Sequence, residues 1–354
     1  IMEMQKNRGD NESIGINLFH GEAVAYPNIA FVKYWGKDYE RQALRGAKNL
    51  PNNDTVSMSL DGLETFTSVD FGLFENNEIY IDGQLSDIAN PKTAALIEVS
   101  NELKKMAGLD DRFKVHINSK NNFPSSAGIA SSAAGAAAFV LAASAALGLN
   151  LDKKQQSILA REISGSGARS VVGGFVVWHK GQKDDGSDSY AEQIAPNTHW
   201  PELVDIIVVV SSNKKKVSSG EGHELAVKSP LYSVRPRLAD ENCNAAVEAI
   251  KDKNFELLGE IIIKDWLNMH AIALDTGVHY LTDESWEVVE KLKELNVKTG
   301  KIVAAYTFDA GPNPHIITLD SYKDNILSAL KGLKIEKIFL AHASGDPRII
   351  IPTK

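Results

Sequence analysis

A chain of 354 residues exceeds the size of one ordinary core and fits two domains, an arrangement that usually encloses a cleft. Charged residues make up 24% and the hydrophobic set 43%, as in folded globular proteins, and a net charge of −8 argues against a nonspecific nucleic-acid surface, which needs a field of Lys and Arg. The one cysteine, Cys243, excludes an internal disulfide and a usual structural zinc site, and points to a reducing, cytoplasmic setting.

Residues 1–21 carry Glu3, Asp10 and Glu12 and no apolar stretch, so an N-terminal tail is expected there, neither signal peptide nor anchor. Short apolar or alternating segments predict strands at 25–32, 65–71 and 114–118. A helix is predicted at 93–106, where Leu96, Val99, Leu103 and Met106 recur at three or four. The run 133–149 is mostly alanine, too weak in transfer free energy to span a bilayer, and reads as a buried core helix. A second amphipathic helix follows at 153–163. Next comes a strand at 171–178, whose Gly173 and Gly174 let another backbone come close. After a polar turn at 181–189, the segment 205–211 is the clearest buried strand, and a boundary near residue 200 separates domains 22–200 and 201–354. Helices at 238–250, 255–273, 283–295 and 323–333, with strands at 302–308, 315–319 and 338–341, predict helices stacked on an antiparallel sheet. Periodicity alone supports two mixed domains of helices and strands.

Five stretches have the composition of a binding site. Asn122 to Gly135 is a Ser- and Gly-rich turn entering the alanine helix, where backbone N–H groups and the hydroxyls of Ser131 and Ser132 can meet an oxyanion or its metal. It lacks the lysine of a P-loop and the spacing of a dinucleotide fingerprint, and alone it could equally be a close-packed helix entry. Asn28 to Lys37 ends an apolar strand in two cations, an aromatic pair and a glycine; either lysine alone would more often be a solvated charge. Leu50 to Leu60 passes from a polar turn into a strand. Ser164 to Ser170 holds Arg169 among small residues, suited to a carboxylate or phosphate. Thr307 to Asn313 places Asp309 at a strand end before a tight turn, either as a group able to take a proton from a hydroxyl or as a turn cap.

In order and over nearly the whole chain, from about Ala25 to Gly345, these stretches resemble the GHMP kinase superfamily and, within it, the mevalonate diphosphate decarboxylases. The superfamily loop Pro-x-x-x-Gly-x-x-Ser-Ser-Ala stands here at Pro124 to Ala133. The decarboxylase motifs Asn-Ile-Ala…Lys-Tyr-Trp-Gly-Lys, Ser-Gly-Ser-x-x-Arg-Ser and Asp-Ala-Gly-Pro-Asn are all present. The resemblance implies a two-domain α+β fold, with an N-terminal ribosomal S5 domain 2-like domain and a C-terminal ferredoxin-like domain of helices on a sheet. It also implies ATP-dependent decarboxylation of a small molecule, 5-phosphorylated mevalonate, with neither nucleic acid nor membrane as partner; homodimers are common in the family. By the same resemblance Asp309, Lys37 and Arg169 are the catalytic set, Lys37 pairing with Asp309 and Arg169 clamping the C1 carboxylate. Pro124, Gly128, Ala130, Ser131 and Ser132 would cradle the ATP phosphates with Mg2+, which is held through ATP with Ser132 as the candidate hydroxyl. Lys33, Tyr34, Ser164, Ser166 and Ser219 would hold the substrate.

Three features depart from that pattern. Gly220 stands where diphosphate-using members commonly carry arginine, which favours a 5-phosphate over a 5-diphosphate substrate, with Lys214, Lys215 and Lys216 nearby as charge but not as a bidentate fork. Asp54 stands where relatives tend to carry serine or asparagine, and the segment 38–49 is longer than usual. An ATP-independent decarboxylase of mevalonate 3,5-bisphosphate, a kinase that stops at the phosphorylated alcohol, and a non-catalytic ligand sensor are the alternatives.

Overall fold

A computed structural model describes residues 18–123, 131–213 and 216–350. The first half runs β1 (Phe19–Ala25), β2 (Asn28–Val32), α1 (Tyr39–Arg45), β3 (Thr55–Ser59), β4 (Thr65–Gly72), β5 (Glu78–Ile81), β6 (Gln84–Leu85), α2 (Pro91–Met106) and β7 (Lys114–Asn121). It continues through α3 (Ser131–Ala146), α4 (Lys153–Ile163), α5 (Gly167–Ser170), β8 (Phe175–Trp178) and β9 (Ala191–Ala195). The second half has β10 (Leu203–Val209), α6 (Ser219–Ala226), a 3-10 turn (Pro230–Val234), α7 (Arg235–Lys251), α8 (Phe255–Asp275) and α9 (Asp283–Thr299). It closes with β11 (Ala305–Thr307), β12 (His315–Leu319), α10 (Asp320–Ala329), β13 (Lys337–Ala341) and β14 (Arg348–Ile350).

The strands form three sheets, ordered β14-β1-β4-β7-β5-β6, β2-β3-β8-β9 and β11-β12-β10-β13. In β4 the residues Thr65, Thr67, Val69 and Phe71 alternate inward. They help enclose α3, where Ala133, Ala134 and every residue from Ala136 to Ser144 are buried, as the apolar run predicts. The third sheet is antiparallel with helices on it, as expected. One face presents Leu203, Ile207, Ala305 and Ile317 to a core shared with Ile29, Val56 and Met58 of the second sheet and with α7 and α8. The other face packs Val204, Ile206, Tyr306 and Ile316 against α9, α10 and Trp266. The two halves are thus joined through one apolar layer.

The apolar run 25–32 divides at Pro27, so that β1 joins the first sheet and β2 the second. At Gly173 a Cβ would lie 2.2 Å from the carbonyl carbon of Gly345, and Gly174 N–H donates to Ser344 O at 2.8 Å. The close approach of another backbone predicted at this glycine pair is present, and it leads residues 348–350 back to the edge of the first sheet beside β1. Part of the small-residue loop 164–170 closes as the short helix α5. Helices α1 and α6 have no counterpart in the sequence expectations; α6 contains two glycines that erase its apolar period.

Candidate active site

Three chain segments converge at the C-terminal end of β2. The backbone of Lys33 is held on both sides: its N–H donates to Asp265 Oδ2 at 2.8 Å, and its carbonyl accepts from Arg235 Nη2 at 2.9 Å and Asn53 Nδ2 at 3.2 Å. So fixed, the buried Lys33 side chain sends Nζ to Asp309 Oδ1 at 2.8 Å. Asp309 follows β11, and its carboxylate retains 34% of its exposure. The pair therefore has a dry cation and an accessible anion. Burial pushes the Asp309 carboxyl up, but Lys33, His315 and Arg169 more than offset this and hold it below its ordinary value. It stays ionised and ready to accept a proton.

Arg169, on α5, is buried and donates through Nε to Asn28 Oδ1 at 3.0 Å and through Nη1 to Thr55 Oγ1 at 2.8 Å. Burial pushes its guanidinium down to about 10, with Asp309 opposing, so it remains a cation at neutral pH. Asn28 Nδ2 in turn donates to Ser166 O at 3.2 Å and Ser170 Oγ at 2.8 Å, tying the arginine to the Ser-Gly-Ser loop. At that loop Ser164 Oγ lies 3.4 Å from Ser166 Oγ and 3.5 Å from Ser132 Oγ, beside the N-terminus of α3. Three hydroxyls beside the first turn of a 16-residue helix suit an anionic group. Ser131 begins that helix, whereas Pro124, Gly128 and Ala130 lie outside the described residues.

Lys37 is placed differently from the expectation. The ammonium bonded to Asp309 belongs to Lys33, while Lys37 Nζ donates to Asn49 Oδ1 at 2.8 Å. The chain turns at Gly36, with φ +82°, and a Cβ there would strike the Tyr232 ring. Lys37 is thereby directed toward the 38–49 segment. Burial lowers its pKa, with Glu224 opposing. Asn49 also donates to the carbonyls of Arg161 and Glu162 at the end of α4, and its own carbonyl accepts from Tyr34 Oη at 3.2 Å. Residues 39–45 of the segment form α1, and Arg41 fastens it to the carbonyls of Lys180 and Gly181.

The Tyr34 ring packs on Trp178 and on His223 of α6. His223 Nδ1 accepts from Gly36 N–H at 3.0 Å, and Ser219 begins the same helix one turn earlier. Burial, then Lys37, pushes His223 down to about 3, so the ring is neutral. Asp54 faces away toward β8, accepting from Lys180 N–H at 2.8 Å and lying 3.5 Å from His179. Burial raises its carboxyl, but His179 and Lys180 outweigh it and lower it overall.

The sequence reading missed Asp265, Arg235 and Asn49 as site-forming residues. A signal for Asp265 existed: it falls on the stripe Leu258, Ile261, Ile262, Met269 and Ile272, where a charge has no place unless paired. Among the described residues no cluster of His, Cys, Asp and Glu could hold a metal, and no helix is long and apolar enough to cross a membrane.

The diphosphomevalonate decarboxylase-like N-terminal domain family matches residues 25–191, and the mevalonate 5-diphosphate decarboxylase C-terminal domain family matches residues 205–344. The chain belongs to the diphosphomevalonate decarboxylase family. Within this family it is 38% identical over 330 residues to the diphosphomevalonate decarboxylase of Candida albicans, covering 88% of each chain. It is 35% identical to that of Bos taurus, covering 89% of this chain and 84% of the relative. The crystal structure of mevalonate diphosphate decarboxylase from Staphylococcus aureus superposes with a TM-score of 0.84 at 33% identity, covering 94% of this chain and 98% of the other. The enzyme from Enterococcus faecalis gives a TM-score of 0.82 at 31% identity, covering 94% and 99%. A complex of MDDEF with MVAPP, AMPPCP and magnesium gives 0.83 with the same coverage.

Proposed function

We propose that this chain is an ATP-dependent decarboxylase of a 5-phosphorylated mevalonate. The observation that carries the reading is the Lys33–Asp309 pair at 2.8 Å, with the carboxylate partly exposed and the Arg169 guanidinium helping to hold its pKa down. A tertiary alkoxide leaves poorly, so the 3-hydroxyl must first become a phosphate ester. Asp309 orients that hydroxyl and takes its proton as the new O–P bond forms. Lys33 keeps Asp309 ionised and in place. When the 3-phosphate departs, positive charge develops at C3, and the electrons of the breaking C1–C2 bond form the C2–C3 double bond as CO2 leaves.

Arg169 faces the carboxylate from a buried setting, where a guanidinium is worth more than in water. Its polar supports, Asn28 and Thr55, fix it before substrate arrives, so positioning costs little during the reaction. Ser132, Ser164 and Ser166 form the hydroxyl cluster at the α3 N-terminus that fits the nucleotide phosphates and their Mg2+. Bound ATP supplies the phosphoryl group. Tyr34, Lys37 and Ser219 line the approach from the α6 side and bind the phosphorylated end of the substrate. Gly220, in the first turn of α6, offers no guanidinium there, which favours the 5-phosphate over the 5-diphosphate.

The test is purified protein with ATP and Mg2+ and, separately, mevalonate 5-phosphate, 5-diphosphate and 3,5-bisphosphate, following ADP and CO2 independently. Stoichiometric ADP and CO2 from one of the first two is the expected result. ADP without CO2 would make the chain a kinase, and CO2 from the bisphosphate without ATP would assign an ATP-independent reaction.

A further inference from the structure

The 38–49 segment is a closed loop. Its ends meet where Asp38 N–H donates to Leu50 O at 2.9 Å and Lys37 pairs with Pro51 as an isolated β-bridge. Between these ends α1 is capped by the Asp38 side chain and by Gly46 in the left-handed region. The last residue of the loop, Asn49, is itself left-handed, with φ +55°, a conformation that asparagine adopts more readily than most residues but still at a cost. Such a backbone persists where its surroundings over-determine it.

They do so here, because every polar atom of Asn49 is engaged. Its N–H donates to Gln42 Oε1 at 2.8 Å, and its carbonyl accepts from Tyr34 Oη at 3.2 Å. The side-chain Nδ2 donates to Arg161 O at 2.8 Å and Glu162 O at 3.2 Å, and Oδ1 accepts from Lys37 Nζ at 2.8 Å. The two α4 carbonyls are ordinary helix-end acceptors that any donor could satisfy. The lysine bond differs in kind. A lysine stem samples many rotamers unless its ammonium finds an acceptor, and this bond uses one of the three N–H donors. The ammonium is thereby fixed near the serine loop: the Tyr34 ring lies against Gly165, between Ser164 and Ser166, where a Cβ would come within 2.4 Å of the ring. Among the described residues, none of the Asn49 bonds goes to Lys33 or Asp309.

We propose that Asn49 is a positioning residue for the phosphorylated end of the substrate. Its amide oxygen holds the Lys37 ammonium where a phosphate oxygen can take the remaining donors, and its amide nitrogen registers that lysine against the end of α4, which leads into the Ser164–Ser166 loop. The proposal rests on the functional reading above, in which Lys37 binds the phosphorylated end. It makes the 38–49 segment a determinant of substrate affinity and leaves the chemical step to Lys33 and Asp309.

Asn49→Gly suits a positive φ and keeps the backbone bonds to Gln42 and Tyr34, so it removes the amide alone. Calorimetry with the three phosphorylated mevalonates, and kinetics with the one turned over, compare wild type, Asn49→Gly, Lys37→Met and the double variant. Asn49→Gly is expected to weaken Kd by about three- to tenfold, the cost of ordering one long side chain on binding, with kcat within about twofold. Once Lys37→Met is present, the glycine should change Kd little, because both changes remove the same contact. Additive losses, or an unchanged Kd in Asn49→Gly, overturn the proposal. Asn49→Ala loses the same amide and also strains the backbone, so it should melt lower than Asn49→Gly while matching its Kd. A Kd that follows the melting temperature instead would leave Asn49 a structural residue and overturn the proposal. Wild type that binds none of the three compounds removes the functional reading and this proposal together, whereas an active wild type with unmoved variants removes this proposal alone.

Discussion

Arg235 and Asp265 form a fully buried bidentate pair, Nη1 to Oδ1 at 2.7 Å and Nη2 to Oδ2 at 3.1 Å, and together they grip both backbone polar atoms of Lys33. Two helices of the second half thus set the position of a residue on the first. Removing one partner leaves an uncompensated buried charge, so Asp265→Asn or Arg235→Met is expected to cost about 3–5 kcal/mol in urea unfolding. Pairing the changes as Arg235→Met with Asp265→Leu should recover much of that stability. Turnover should stay low, because the Lys33 backbone has still lost two partners.

Lys33 and Lys37 have separable tasks. Lys33→Met removes the cation bonded to Asp309 and is expected to lower kcat by about 10²- to 10³-fold with a small change in KM. Lys37→Met releases the link to Asn49 and should act chiefly on KM for the phosphorylated substrate. Steady-state kinetics on both variants decides this; the reverse pattern would return the catalytic role to Lys37.

Two buried neutral imidazoles predict a pH-dependent stability. His223 and His270 are pushed from the ordinary 6.5 down to about 3 and about 4 by burial, then by Lys37 and Lys33 respectively. Between pH 6.5 and 4 the unfolded chain binds protons that the folded chain refuses. Stability is therefore complete above pH 6.5 and falls as pH drops, by about 1.4 kcal/mol per pH unit for each ring. Urea unfolding at pH 7.5, 6 and 5 should show this slope, and His223→Gln with His270→Gln should flatten it. An equal slope in wild type and double variant would exclude these rings as its source.

Gly220 is exposed, and a Cβ there would meet only Ser218 Oγ at an ordinary 3.8 Å. Gly220→Arg is therefore accommodated without strain. It is expected to raise kcat/KM for the 5-diphosphate relative to the 5-phosphate by about tenfold, the worth of one charge-assisted contact. A ratio that does not change places the substrate preference elsewhere.

Periodicity determined two mixed domains, the buried alanine helix, the helices on the antiparallel sheet and the close backbone approach at Gly173, because each follows from local spacing and side-chain size. Local spacing also drew attention to Asp309, Arg169 and the serine clusters as polar groups at strand and helix ends. It could not decide which lysine meets Asp309. Lys33 and Lys37 are four residues apart, so strand alternation gives both the same face; the turn at Gly36 and the Arg235–Asp265 grip on Lys33 separate them. The partner lies 276 positions along the chain. A contact of that range depends on how two sheets share one core, and only the tertiary structure decides it.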